Sequence, residues 1–215
     1  MRAGSGGAPR PPAELPDAEL LALLLGASGP RGTALDAARA ALLRFGSIGA
    51  LLAAPCSAVQ ELPGWGPCGY RRLQAALEMG KRMLREDLGG GTALDGPRKV
   101  QRYLGLALGR CGHEVFTVLF LDSQNRLIAL EEMFRGTLTQ TSVYPREVVK
   151  QALRHNCAAV ILAHNHPSGI AEPSRADEAL TRALQGALAL VDVRVLDHIV
   201  VAAGRSTSFA ERGLL

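Results

Sequence analysis

The chain has 215 residues, 47% of them apolar but only 4% aromatic, which suits one large or two small domains with aliphatic cores. Basic residues outnumber acidic by 24 to 20, and the excess is thin in both halves: 10 against 8 before Gly90, 14 against 12 after it. Overall charge therefore gives no ground for nucleic-acid binding, and no apolar run approaches the ~20 residues that a membrane span needs.

Four cysteines, Cys56, Cys68, Cys111 and Cys157, form no C-x-x-C pair, as expected of idle or buried thiols in a reducing compartment. Cys111 with His113 and His155 with Cys157 do not have the spacing of a standard zinc finger. The apolar stretch Leu20–Leu25 follows Asp17 and Glu19, the wrong flank for a signal peptide, so the expected location is cytoplasmic.

Residues 1–13, rich in Gly, Pro and Ala, are expected to be a disordered tail. Helical patterns run from Pro16 to about Arg85, with Thr33, Ser47 and Ser57 as expected N-caps. Leu62-Pro63-Gly64-Trp65-Gly66-Pro67 is a tight turn before a helix expected over Tyr70–Arg85. Helix, G-x-G turn and helix resemble a helix-hairpin-helix module, in which turn amides and the next helix N-terminus contact a nucleic-acid phosphate. The resemblance makes Gly64, Gly66, Arg71 and Arg72 candidate contacts to duplex or branched DNA. Trp65, where a small aliphatic residue is common, and Pro67-Cys68-Gly69 depart from that pattern.

Three glycines in a row make residues 87–96 the expected linker between an all-α domain (14–86) and a second domain (97–215). The second domain is expected to open with a helix from Pro97 to about Gly109. Strands over Val115–Leu121 and Arg126–Met133 should pair antiparallel about a turn at Asp122–Asn125. A helix over Pro145–His155 has Pro at N1. A short strand, Ala158–Ala163, delivers His164, and a helix over Ser174–Leu190 and a strand over Arg194–Ala202 complete an α/β sandwich.

His164-Asn165-His166, followed by Ser174 and Asp177, carries the chemistry. On an extended backbone residues i and i+2 face one side, so both imidazoles can address one ion. Pro167, Gly169 and Pro173 then force a turn, and Asp177 lies one helical turn after Ser174. Two His and one carboxylate, with a fourth position left to water, is the catalytic zinc arrangement. Ser-x-x-Asp is also an N-terminal capping box, and one aspartate is expected to serve poorly as both cap and ligand.

H-x-H, seven residues, then S-x-x-D resembles the JAMM signature of MPN+ metallopeptidase domains. With Asn165 between the histidines and Pro167-Ser168-Gly169 after them, it resembles the bacterial RadC family. Phe120-Leu121-Asp122, Gly136-Thr137-Leu138, Pro145-Arg146-Glu147-Val148 and Leu196-Asp197-His198-Ile199 agree, so the likeness spans nearly the whole chain from Pro16. It implies a cytidine-deaminase-like α/β fold and one Zn2+ per chain held by His164, His166 and Asp177. The implied activity is hydrolysis of an amide or isopeptide bond in a peptide or protein substrate not identified by sequence.

Such hydrolysis needs a general base. With no H-E-x-x-H helix, the residues leave Glu114, Glu131, Glu132, Glu147 and Glu172 open. The resemblance puts that base at Glu114, at the start of the first core strand, and gives Ser174 the oxyanion. A deaminase is excluded by the lack of H-x-E and P-C-x-x-C. Asp197-His198 is expected to orient a ligand rather than bind metal. The alternative function is a DNA-associated protein, of DNA-repair type, with the helical domain on phosphates and the metal domain accessory.

Overall fold

The computed structural model describes residues 10–26, 33–89, 97–136, 142–202 and 204–215. The chain divides into two compact units, Met1–Met79 and Gly80–Leu215. Residues 1–9 of the expected tail and 90–96 of the expected linker lie outside the described residues.

The first unit is all helical: α1 (Asp17–Leu25), α2 (Thr33–Phe45), α3 (Ile48–Ala53), α4 (Cys56–Gln60) and the beginning of α5 (Gly66–Gly89). Ser47 caps α3 by accepting the Ala50 amide. Ser57 does not cap α4, because Pro55 takes the N-cap position and the helix starts two residues earlier than a Ser57 cap implies. The core is aliphatic, from Leu21, Leu25, Ala38, Leu51, Val59 and Leu73, around one large ring. That ring is Trp65, only 2% exposed, whose Nε1 donates to the Ala37 carbonyl at 3.0 Å. The tryptophan that departs from the helix-hairpin-helix pattern is thus the centre of this unit's packing.

Helix α5 starts four residues before the expected Tyr70 and runs on to Gly89, so residues 87–89 of the expected linker are helical. Its last turns supply Leu84 and Leu88 to the second unit's core.

The second unit adds α6 (Pro97–Leu108), β1 (Val115–Leu121), β2 (Leu127–Arg135), α7 (Pro145–Arg154), β3 (Ala159–Asn165), α8 (Arg175–Ala189), β4 (Arg194–Ala202) and β5 (Arg205–Ser208). The sheet order is β2-β1-β3-β4-β5, with β3 and β4 parallel and the other neighbours antiparallel. Strand β1, V-F-T-V-L-F-L, is buried along its whole length, as its unbroken apolar run requires of a central strand.

Period-two alternation sorts the two faces. Val115, Leu119, Leu121, Ile161, Ala163, Ile199 and Val201 pack with Val100, Leu104 and Leu108 of α6. Phe116, Val118, Phe120, Val160 and Leu162 pack with Val148 and Ala152 of α7 and Leu184 and Leu188 of α8. The result is an α/β sandwich, helix on both sides of one mixed sheet. The short β5 was not legible in its Arg-Ser-Thr-Ser sequence, since it is an edge strand with almost no apolar content.

Replacing Trp65 by Phe removes the bond to Ala37 and part of a filled core. A loss of about 1–3 kcal/mol is expected, read as a lower urea midpoint by far-ultraviolet circular dichroism; an unchanged midpoint would show that the ring is not the anchor.

Candidate metal centre

The parallel pair β3–β4 is joined by a loop and α8, and the candidate site lies where β3 ends and α8 begins, as sites in open α/β sheets do. Alternation along β3 continues the pattern of its core. His164 follows Val160 and Leu162 on the α8 side, while Asn165 turns to the other. His166 extends the ladder, its amide donating to the Val201 carbonyl at 2.8 Å. Gly169, at φ +82°, closes a turn back onto His166, its amide donating to the His166 carbonyl at 3.1 Å. The turn brings the Ile170 carbonyl 2.9 Å from His166 Nδ1.

The three candidate ligands converge. His164 Nε2 is 3.0 Å from His166 Nε2 and 3.2 Å from Asp177 Oδ1, and His166 Nε2 is 3.4 Å from Asp177 Oδ2. Among the described residues this is the one cluster of three or more His, Cys, Asp or Glu side chains able to share an ion. Cys111, His113, His155 and Cys157 form no such group; His155 instead bonds Glu131 at 2.8 Å and packs on Phe120.

Hydrogen bonds behind the site determine which nitrogens carry protons. The Asp177 carbonyl can only accept, so the Thr181 hydroxyl donates to it, at 2.6 Å. Thr181 Oγ1 must then accept from His198 Nδ1–H, also at 2.6 Å. His198 Nε2 is left as an acceptor for His164 Nδ1–H at 2.8 Å, and His164 Nε2 is left bare. Burial holds His198 well below the ordinary histidine range, with the neighbouring His164 acting in the same direction, so one N–H on that ring is what the chain requires. The Ile170 carbonyl accepts from His166 Nδ1–H in the same way, which leaves Nε2 to bind a metal or, without one, a proton. Two nitrogen lone pairs and a carboxylate thus face one point.

Asp177 combines two positions that the sequence suggested were in competition. Oδ2 closes a full capping box, accepting the Ser174 amide at 2.6 Å and the Ser174 hydroxyl at 2.7 Å, while Ser174 Oγ accepts the Asp177 amide at 3.1 Å. Oδ1 remains directed at His164. The cap is fully formed on Oδ2 while Oδ1 faces His164, so the two places expected to compete for one aspartate fall mainly on different oxygens. Burial works to raise the Asp177 pKa, but the facing His164 and His166 rings, whose Nε2 atoms donate to it when they hold a proton in place of a metal, and the Ser174 hydroxyl outweigh it and hold the carboxyl far below the usual carboxylate range. For His166 the Asp177 carboxylate leads in raising the pKa, against burial, with the Ile170 carbonyl and the Glu114 charge adding to the rise.

The five glutamates open on sequence separate clearly. Glu131 is paired with His155, Glu132 with Arg135, Glu147 with Lys150 and Arg146, and Glu172 with Arg212. Glu114 is the one whose charge is felt by His166. It immediately precedes β1, and its carbonyl accepts the Gly136 amide at 2.8 Å. Asp197 lies outside the cluster: it accepts the His198 and Ala210 amides and the Ser208 hydroxyl, tying β5 and the following turn to β4, and burial raises its pKa.

In the first unit Gly64, at φ +82°, would bring a Cβ within 2.8 Å of the Ala37 Cβ, so its turn and its packing alone require glycine. Gly66 opens α5 at φ +47°. The Arg72 guanidinium bonds the Leu25 carbonyl at the end of α1, and Arg71 is exposed.

Asn165 is the residue whose part the motif conceals. Fully buried, it accepts the Val115 amide at 2.8 Å and donates to the Cys111 and His113 carbonyls at 3.2 and 3.0 Å. These three bonds clamp the backbone on both sides of Glu114. Asn165→Asp keeps the acceptor but sets a second oxygen against two carbonyls. It is expected to destabilise the second unit by about 2 kcal/mol or more and to speed hydrogen exchange at the Val115 amide; native-like exchange there would refute the clamp.

Comparison with known proteins agrees with the topology. Residues 94–214 match the family model described as the RadC-like JAB domain. A UPF0758 protein of Leptothrix cholodnii is 59% identical over 205 residues, covering 95% of this chain and 92% of its own. A UPF0758 protein of Nitrosomonas eutropha is 56% identical over 201 residues, covering 94% and 90%. Extending over almost the full length of these relatives and carrying the JAB domain in its second unit, the chain belongs to the RadC family.

Proposed function

We propose that the second unit is a zinc-dependent hydrolase of peptide or isopeptide-type amide bonds, with His164, His166 and Asp177 as the metal ligands. The observation that carries this reading is the convergence of two bare Nε2 atoms on a carboxylate. Ligand atoms about 2.0–2.1 Å from a tetrahedral zinc stand about 3.3 Å apart. Here His164 Nε2 stands 3.0 Å from His166 Nε2 and 3.2 Å from Asp177 Oδ1, with His166 Nε2 3.4 Å from the other oxygen, Oδ2. Without a metal ion, a proton held by the imidazoles and Asp177 has to take its place between the lone pairs.

A bound zinc supplies Lewis acidity, lowering the pKa of a water to about 7 and polarising a carbonyl. Glu114 then takes the proton from the attacking water and returns it to the departing amine. Ser174 is the candidate donor to the oxyanion. Its proton is given to Asp177 Oδ2 in the cap, so this role requires the hydroxyl to turn away from that carboxylate. Asn165 keeps Glu114 in place by holding the chain on either side of it. DNA contact by the first unit is the weaker reading, because Gly64 and Arg72 already have structural reasons for their identity.

Metal analysis of untagged protein is expected to give about one zinc per chain, lost in His164→Ala and Asp177→Ala and retained in Glu114→Gln. Thr181→Val, which frees the His198 tautomer, is expected to weaken zinc about 10–100-fold. Zinc absent from the wild type even after reconstitution would overturn the reading; peptide cleavage surviving Glu114→Gln would overturn the base assignment.

The sign of the pH dependence follows from His166. Its raised pKa in the metal-free protein adds stability that is full below the unfolded value of about 6.5 and is lost as pH rises through the higher folded value. Zinc competes for the same nitrogen, so its stabilising increment should grow over that window. Melting temperatures with and without zinc between about pH 6 and 8 check this; an increment independent of pH would contradict it.

A further inference from the structure

We infer that the second unit carries an anion site for a phosphate group, on the side of the sheet opposite the candidate metal centre. Helix α6 buries Val100, Tyr103, Leu104 and Leu108 against the sheet. Arg98, Gln101, Arg102 and Gly105 follow the i, i+3, i+4, i+7 spacing of another helix face. Together with Gly204, Arg205 and Ser206, from the turn into β5 and β5 itself, they line a cleft of about 420 Å³. That volume is within the range of small-molecule sites.

Among the described residues, three that bear guanidinium groups line this cleft and no carboxylate does. Among the described residues Arg98, Arg102 and Arg205 have no ion pair, so no carboxylate of the described chain neutralises the three charges gathered here. The nearest acidic group engaged with the lining is Glu211, which accepts from Gln101 at 3.4 Å. Gly105 supplies no side chain, and a Cβ there would meet nothing within 4 Å, so the notch between the arginines is open.

Like charges gathered in a concavity focus their field and gain by sharing a counter-anion. Guanidinium forks match the oxygens of phosphate, and three of them suit an anion of more than one charge better than a lone carboxylate. The ligand is therefore a phosphate group, either free or as the phosphodiester of a nucleic acid. The site stands whether or not the metal reading does, since no residue is shared between them.

The test titrates the full-length chain with inorganic phosphate, following the guanidinium nitrogen shifts of Arg98, Arg102 and Arg205. A second arm titrates it with a fluorescein-labelled 20-base-pair duplex by anisotropy. Both arms are repeated on the triple variant Arg98→Gln, Arg102→Gln, Arg205→Gln and on Arg154→Gln, at the end of α7, as a control. Phosphate should move the three guanidinium signals, with affinity at least about tenfold lower in the triple variant and unchanged in Arg154→Gln. If the phosphodiester is the source, the duplex binds the wild type more tightly than phosphate does, and the triple variant lowers the salt slope by about 3. If free phosphate is the source, the duplex fails to compete with it. Guanidinium signals unmoved by phosphate, with the duplex either unbound or bound equally by the triple variant, would overturn the proposal.

Discussion

One hydrogen-bonded chain organises the second unit: the Asp177 carbonyl, the Thr181 hydroxyl, the His198 imidazole and then His164. Its direction is imposed at one end, because a carbonyl oxygen cannot donate. Every later proton position follows from that. The chain ties α8 to β4 and β4 to β3, so the elements carrying the ligands are held by the same bonds that set their protonation. His198 is the buried pivot, packed between Phe116 and Phe209 and kept neutral by burial. A polar chain of this kind inside an apolar core is costly unless each member is satisfied, and here each is.

The second organising constraint is the alternation of β3. His164 and Asn165 are adjacent in sequence and serve opposite faces of the sheet. The histidine meets the start of α8; the asparagine reaches the segment between α6 and β1. One short stretch of strand thus positions the candidate ligands and, through the backbone, the candidate base. Asp177 economises in the same way: one oxygen ends the helix and the other looks into the site. The shared use explains why the cap and the cluster occur at one spacing rather than as separate motifs.

Much of this was legible in the sequence because it is local. The H-x-H alternation, the Pro/Gly turn and the Ser-x-x-Asp start of α8 depend only on strand and helix periods, and strands β1 and β4 begin and end where their apolar runs do. Non-local features were not legible. Thr181 looks like any helical threonine until β4 brings His198 against it, and Asn165 looks like a motif spacer until the 111–115 segment folds beneath it. Trp65 broke a turn pattern in sequence yet fills a core in space. The glutamates could not be ranked by periodicity, since what separates them is which cation or imidazole each meets.

The tautomers of the three imidazoles are the most direct test of this account. Long-range proton–nitrogen correlation spectra of the zinc-loaded protein should show Nδ1–H on His164, His166 and His198. Nε2 of His164 and His166 should be shifted by the metal, and Nε2 of His198 should be an unmetallated acceptor. A proton on His198 Nε2, or a metal shift at His198 rather than at His164, would contradict the relay on which the site is built.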